Sequence, residues 1–368
     1  MIMLRVVMFS LGLILLSPFT EPANAQSPEW TRCVNKGNAF AADVRIGGCT
    51  AVIQSGRETK KNRAAAYTNR GNTYIAKGDY DRAIADQDEA IALDPKLAAA
   101  YVNRGHAYEG KNDYDHAIVD YNKAITLDTL DAKSAAIAYG SRGSAYLVKK
   151  DYDRAIADYD KAIALDPKLA AVYSNRGRAY MGKKDYDQAI VDYTNAITLD
   201  TLDAKSVAIA YGGRGNAYLG KKDYDRAIAD YTKAIEFNPQ NPLPYDLRGF
   251  AYKERGRGRN DLSDQDRAIA DYTQVIELDP KNAVAYNNRA WAYFTAGKAA
   301  QGLPDAEKSL ELRPNESRAL DTRGSIFEVL GRREEAIADF RRALSVGVND
   351  PEVQASAKEA LKRLGASP

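Results

Sequence analysis

A chain that repeats itself at a fixed period must fold as copies of one small unit, and this constraint outranks every other feature here. Counting from Ala64, units begin at Ala64, Ala98, Ala136, Ala170, Ala208, Pro242, Ala283 and Ser317, with lengths of 34, 38, 34, 38, 34, 41, 34 and 34 residues. Most carry an aromatic residue or leucine at the fourth place, glycine at the eighth and an aromatic at the eleventh. Alanine follows at the twentieth place, and proline usually closes the unit at the thirty-second.

In the first unit Tyr67, Gly71 and Tyr74 are spaced to share one helix face, and Ala83, Gln87 and Ala90 share a face of a second helix. Each unit is therefore expected to be a helical hairpin. Gly71 and Ala83 stand where the two helices approach, Gly78 takes the left-handed turn, Asp79 caps the next helix and Pro95 stops it. The period, the hairpin and the residues Y-x-x-x-G-x-x-Y…A-I-x-x-[YF]-x-x-A-[IL]…P resemble tetratricopeptide repeats across 64–350. That resemblance implies an all-α, right-handed superhelical solenoid of eight hairpins with terminal capping helices, its concave side lined by the first helix of each unit. The units run 64–97, 98–135, 136–169, 170–207, 208–241, 242–282, 283–316 and 317–350. A capping helix and tail are expected over 351–368, and an amino-terminal cap with a half-repeat over 26–63, where Asn38 to Ser55 resembles only a second helix.

Departures from the pattern carry information. Thr129 and Thr201 replace the closing proline and are followed by the insertions Leu130–Lys133 and Leu202–Lys205, about one helical turn, which place Ser134 and Ser206 near the start of a lengthened first helix. The blocks 98–169 and 170–241 are near copies. In the sixth unit, Glu254 to Ser263 holds seven surplus residues, among them Arg255, Gly256, Arg257, Gly258 and Arg259, read as a flexible solvated loop. The seventh unit has Ala290 in place of glycine and Gly302 in place of alanine.

Ahead of the repeats, Arg5, the apolar run Val6–Leu16 and Ala23-Asn24-Ala25 have the form of a secretory signal peptide over 1–25, cleaved after Ala25. The run is too short to span a bilayer, so a mature chain 26–368 without a membrane segment is expected in the periplasm or medium. The shape of the signal and the Tyr-x-Asn-Arg-Gly form of the repeat resemble bacterial proteins. Cys33 and Cys49 are the only cysteines, and in an oxidising compartment they are expected to form a disulfide. With 52 basic and 50 acidic residues the net charge is +2, which gives no case for a nucleic-acid partner.

Two ionisable places recur in every unit. Arg70, Arg104, Arg142, Arg176, Arg214, Arg248, Arg289 and Arg323 are matched, one helix later, by Asp86, Asp120, Asp158, Asp192, Asp230, Asp271, Asp305 and Asp339. Residues repeated in every copy serve the repeat, so these are read as structural ion pairs, within a hairpin or between neighbours. Catalysis is disfavoured: His106 and His116 are the only histidines, no serine or cysteine nucleophile has an evident partner, and no zinc-ligand spacing is present. No cofactor or metal is expected.

The resemblance also implies which places face the groove or its edge. In the amino-terminal half these are Asn72, Asn103, His106, Asn175, Arg178 and Asn216, and in the carboxy-terminal half Leu243, Phe250, Val284, Trp291 and Phe294, flanked by Asp246 and Asn287. Asn69, Asn103, Asn175 and Asn288 match a family position that bonds a bound peptide's backbone. No unit has lysine at the fifth place, which argues against a clamp for a chaperone tail's carboxylate. The expectation is a non-catalytic scaffold that holds an extended peptide or partner helix in the groove. The alternative is an accessory protein that binds envelope polysaccharide or peptidoglycan.

Overall fold

The computed structural model describes residues 27–34, 39–199, 201–259 and 261–367, so the expected signal segment 1–25, its cleavage site and Asn38 lie outside the described residues. The described secondary structure is helical throughout: α1 (Pro28–Val34), α2 (Ala42–Gln54), α3 (Lys60–Ala76), α4 (Tyr80–Leu93), α5 (Ala98–Gly110), α6 (Tyr114–Thr126), α7 (Ala132–Val148), α8 (Tyr152–Leu165), α9 (Ala170–Gly182), α10 (Tyr186–Thr198), α11 (Ala204–Gly220), α12 (Tyr224–Phe237), α13 (Pro242–Arg259), α14 (Leu262–Leu278), α15 (Ala283–Thr295), α16 (Ala299–Leu312), α17 (Ser317–Val329), α18 (Arg333–Val346) and α19 (Pro351–Arg363). The chain divides into two compact units, 1–202 and 203–368. In the first, α1/α2, α3/α4, α5/α6, α7/α8 and α9/α10 are hairpins; in the second, α11/α12, α13/α14, α15/α16 and α17/α18 are hairpins and α19 packs on α18.

Five of the hairpins turn by the same local chemistry. The carboxylates of Asp79, Asp113, Asp151, Asp185 and Asp223 accept the backbone N–H three residues on and so cap the second helix. The residue before the cap is left-handed, with φ of 76° at Gly78, but the same place is held by Asn112, Lys150, Lys184 and Lys222 at φ of 60–62°. Those four side chains adopt a conformation that glycine takes without strain.

Between the helices, glycine makes room for a ring. A Cβ on Gly105 would lie 2.6 Å from Tyr121 Cε1, and Gly143, Gly215 and Gly324 are covered in the same way by Tyr159, Tyr231 and Phe340. Tyr121, Tyr159, Tyr231, Tyr272 and Phe340 are fully buried, and each ring removed from water contributes about 2 kcal/mol. In the seventh repeat the small residue changes sides: a Cβ on Gly302 would meet the Ala290 carbonyl oxygen at 2.8 Å, so close approach persists although Ala290 stands on the first helix.

Helices α7 and α11 are each 17 residues long, against 13 for α5 and α9. Asp131 and Asp203 cap them through the N–H groups of Ser134 and Ser206. At the amino terminus the expected half-repeat is a complete hairpin, because the short helix α1 supplies its first arm. The Cys33–Cys49 disulfide joins α1 to α2 with Cα atoms 4.5 Å apart, and Trp30 donates from Nε1 to Glu58 at 2.9 Å. At the other end α19 buries Val353, Ala357, Ala360 and Leu361.

The reading of 255–259 as a flexible loop is corrected. The surplus residues extend α13 to Arg259 and start α14 at Leu262, lengthening both arms of one hairpin. Arg255 locks the extension, bonding both oxygens of Asp264 at 2.7–2.8 Å and Asp225 at 2.7 Å, with its guanidinium 5.2 Å from the centre of the Tyr252 ring. Among the described residues no helix is long and apolar enough to cross a membrane.

Candidate functional site

The recurring arginines and aspartates meet inside each hairpin. Each guanidinium, from Arg70 to Arg323, donates through Nε and Nη2 to both oxygens of its aspartate at 2.6–2.9 Å. The eight aspartates are buried. The remaining nitrogen Nη1 reaches the preceding hairpin: Thr50, Asp88, Asn122 and Asp160 accept from Arg70, Arg104, Arg142 and Arg176, and Thr232 and Thr273 from Arg248 and Arg289, at 2.5–3.0 Å. In seven repeats the guanidinium also lies 5.4–5.9 Å from the ring of the tyrosine three residues earlier. One side chain thus ties two helices of its own hairpin and, in these cases, a neighbour, which leaves its charge committed.

The residues expected to face a groove in the amino-terminal half are mostly interior. Asn69, Asn72, Asn103 and Asn175 are at most 3% exposed and His106 is 8% exposed, while Arg178 and Asn216 are half-buried. Asn69, Asn103 and Asn175, matched in sequence to a peptide-bonding position, are enclosed where the first helices α3, α5, α7 and α9 pack side by side. Here the structure assembles a polar layer. His106 Nε2 lies 2.9 Å from Ser141 Oγ, the Tyr159 hydroxyl donates to Ser144 Oγ at 3.2 Å, and Arg178 Nη1 donates to Asn175 Oδ1 at 3.4 Å. Burial lowers the His106 pKa to about 4 and raises that of Glu109 to about 8. Glu109 is half-buried as a residue, but its Oε1 is out of solvent.

The second unit presents a different surface. Leu243, Phe250 and Val284 are each 38% exposed. Trp291 and Phe294, half-buried, lie with ring centroids 5.1 Å apart. Phe294 also packs on the buried cluster of Ala290, Ala299, Ala306 and Ile326, so its outer edge alone meets solvent. Trp291 instead lines a cleft of about 330 Å³ with Lys253, Glu254, Arg257, Leu262, Gln265 and Thr295, together with Gly256 and Asp261. The lengthened α13/α14 hairpin makes this cleft by overhanging α15. Within it Leu262 is 62% exposed, Lys253 Nζ lies 4.7 Å from the Phe250 ring centre, and Thr295 donates to Gln265 at 3.1 Å. Behind the strip, Asn288 donates to Asp246 at 3.2 Å, and burial raises the Asp246 carboxyl pKa. Asn287 Oδ1 is buried without a hydrogen-bond partner.

Comparison with known proteins agrees with the hairpin pattern. A tetratricopeptide-repeat model matches residues 98–128, 170–200 and 208–241, a second TPR-repeat model matches 71–112, 143–184 and 259–297, and a third matches 289–353. This chain carries tetratricopeptide repeats. Among solved structures, the C-terminal part of a TPR repeat-containing protein from Cytophaga hutchinsonii is similar at 21% identity and a TM-score of 0.55, covering 68% of this chain and 97% of that one. The Cut9–Hcn1 hetero-tetramer of the APC/C is similar at 16% identity and a TM-score of 0.50, covering 89% of this chain and 64% of that one. Both likenesses show the fold. Among curated proteins none matches.

Residue by residue, the tetratricopeptide pattern led to Trp291, Phe294, Phe250 and Leu243 but not to the cleft beside them. Its walls at Arg257 and Leu262 come from the insertion, which has no counterpart in the repeat pattern. Glu109 was also missed, although a signal existed: it stands at the twelfth place, where Ile75, Leu147, Met181, Leu219 and Phe294 stand in other repeats.

Proposed function

We propose that this tetratricopeptide-repeat protein is a non-catalytic scaffold of the cell envelope that holds an extended peptide or a partner's helix against the first-helix face of its second unit. The observation that carries this reading is the cleft beside Trp291, continuous with exposed Phe250 and Leu262. An aromatic side chain at the edge of a cleft of that size is the kind of anchor that dominates protein–protein affinity, because the partner's apolar group is fully desolvated there. The charges around it are largely self-paired, Lys253 with Glu254 at 3.3 Å and Asp261 as the cap of α14, so apolar contact sets the affinity.

The apolar amino-terminal run and the Cys33–Cys49 disulfide support an exported location, periplasmic or secreted. The polysaccharide or peptidoglycan alternative relied on groove asparagines, and the burial of Asn69, Asn72, Asn103 and Asn175 leaves it without an observation in its favour.

The test is capture from envelope extract with mature 26–368, beside a folded variant carrying Leu262→Ser and Trp291→Ala. A protein retained by the parent and lost from the variant supports the reading and supplies the partner. Identical captures from both baits contradict it.

A further inference from the structure

The cleft beside Trp291 stands where earlier repeats carry a ring. The seventeenth place is tyrosine in the first five units, at Tyr80, Tyr114, Tyr152, Tyr186 and Tyr224. Two of these rings pack on the thirteenth place of the following unit: Tyr80 and Tyr152 fill the space that a Cβ on Gly110 and on Gly182 would enter. Tyr224 and Glu254 occupy the same two places and line one pocket. Once its seven surplus residues are allowed for, the sixth unit has Gln265 at the seventeenth place, and the seventh unit has Thr295 at the thirteenth.

Gln265 is smaller than the ring it replaces and is held back by its own hydrogen bonds. Its Nε2 donates to the Lys253 carbonyl oxygen at 3.3 Å, and its Oε1 accepts from Thr295 Oγ1 at 3.1 Å. Gln265 is only 5% exposed, so the free volume lies beside it, bordered by Trp291 on α15 and by Leu262 at the start of α14. An apolar cavity of about 150 Å³ holds a benzene ring. The cleft, at about 330 Å³, takes a ring and part of the chain that carries it.

The charges on its rim are unequally committed. Lys253 pairs with Glu254 at 3.3 Å, and the Asp261 carboxylate accepts the Ser263 N–H at 2.9 Å, where the amino terminus of α14 also offsets its charge. Arg257 lines the cleft, is exposed, and has no ion pair or hydrogen bond among the described residues. The unopposed charge at the cleft is therefore positive.

We propose that the cleft receives an aromatic side chain of the partner, phenylalanine or tyrosine, with a carboxylate on a neighbouring residue that meets Arg257. The ring takes the role that Tyr80 and Tyr152 play in the first unit, and Trp291 supplies an aromatic partner for it. The inference rests on the reading of this cleft as the partner site and specifies what the partner presents there. Ring pairs gain about threefold or more in affinity beyond the area they bury, which favours an aromatic anchor over an aliphatic one. An exposed ion pair adds up to about fivefold.

The chain has two tryptophans, and Trp30, buried with Nε1 bonded to Glu58, serves as the internal control. N-acetyl-Phe-Glu amide is titrated into mature 26–368 while the indole N–H NMR signals are followed. Expected are a saturable shift of Trp291 with Trp30 unmoved, and binding about threefold tighter than that of N-acetyl-Leu-Glu amide or N-acetyl-Phe-Gln amide. The preference for glutamate over glutamine should disappear in Arg257→Gln, which changes only an exposed side chain. Gln265→Tyr combined with Thr295→Gly rebuilds the tyrosine–glycine pair of the first unit and should abolish the Trp291 shift with the thermal midpoint retained. The absence of a saturable Trp291 shift would overturn the proposal, as would a leucine peptide that binds as tightly as the phenylalanine one. So would a glutamate preference that persists in Arg257→Gln, or a shift that persists in the folded double variant. Partner capture that depends on Leu262 and Trp291 while the phenylalanyl peptides fail sinks this specificity alone, whereas identical captures sink the reading beneath it.

Discussion

Replacing Arg176 by alanine removes one complete clamp and leaves its aspartate in place. In the parent, Arg176 donates to both oxygens of Asp192 at 2.6 and 2.8 Å, and the Asp192 side chain is only 1% exposed. Burial pushes the Asp192 carboxyl pKa up, and the two arginine hydrogen bonds oppose that push. Without Arg176 the carboxylate is stranded, a loss of about 3 kcal/mol for a pair this enclosed. The contact of Nη1 with the exposed Asp160 adds less than about 1 kcal/mol. Entropy of unfolding scales with size, so about 3 kcal/mol lowers the midpoint by about 7 °C for a cooperative block the size of the first unit. Thermal and urea melts of Arg176→Ala measure this.

The sign of the pH effect follows from the stranded group. An Asp192 whose folded pKa lies above its unfolded value stabilises the fold at low pH and loses that contribution as pH rises. The deficit of the variant should therefore shrink toward pH 4 and be largest at neutral pH. Adding Asp192→Leu to Arg176→Ala should recover stability, since no charge is then left buried. A single variant within about 0.5 kcal/mol of the parent, or a double variant less stable than the single, would refute the clamp reasoning.

Three further outcomes are expected. Gly143→Ala places a Cβ 2.9 Å from Tyr159 Cε1 and should cost about 1–3 kcal/mol in urea unfolding, with helicity retained. Lys184→Gly relieves a left-handed backbone at φ of 62° and should raise the thermal midpoint, by about 0.5–1 kcal/mol in stability. Burial holds the His106 pKa at about 4, below the 6.5 of a free histidine, so stability present above pH 6.5 is lost as pH falls toward 4. At pH 5 the loss should be about 2 kcal/mol greater in the parent than in His106→Gln.

The repeat made the hairpins legible, because each residue of the pattern has one physical job repeated many times. Gly78 turns the chain, Asp79 caps a helix, Pro95 ends one, and the arginine and aspartate are found together wherever the hairpin closes. Two kinds of information were not legible. The helix α1 is too short for periodicity to declare itself, and the disulfide and Trp30 hold it rather than a helical pattern. The insertion in the sixth repeat has an arginine–glycine composition that suggests a loop. Its helix depends on Arg255 finding Asp264 on α14 and Asp225 on α12, the latter in the preceding hairpin, which no local rule anticipates.

Candidate site residues divided along the same line. Places such as those of Phe250 and Leu243 have exposure set by their own helix, and these surfaces are open. Asn103 and Asn175 depend on how the neighbouring hairpin packs, and that packing encloses them. Where a residue breaks the repeat, as Glu109 and Trp291 do, the sequence marks it without saying what faces it.

The claim at the centre of this account is that the cleft beside Trp291 is where a partner binds. Amide hydrogen exchange of the full chain, free and with the protein it captures, tests that most directly. The account predicts new protection concentrated in the carboxy-terminal half of α13, the first turns of α14 and α15. Protection confined to other helices, or none with the partner bound, would contradict it.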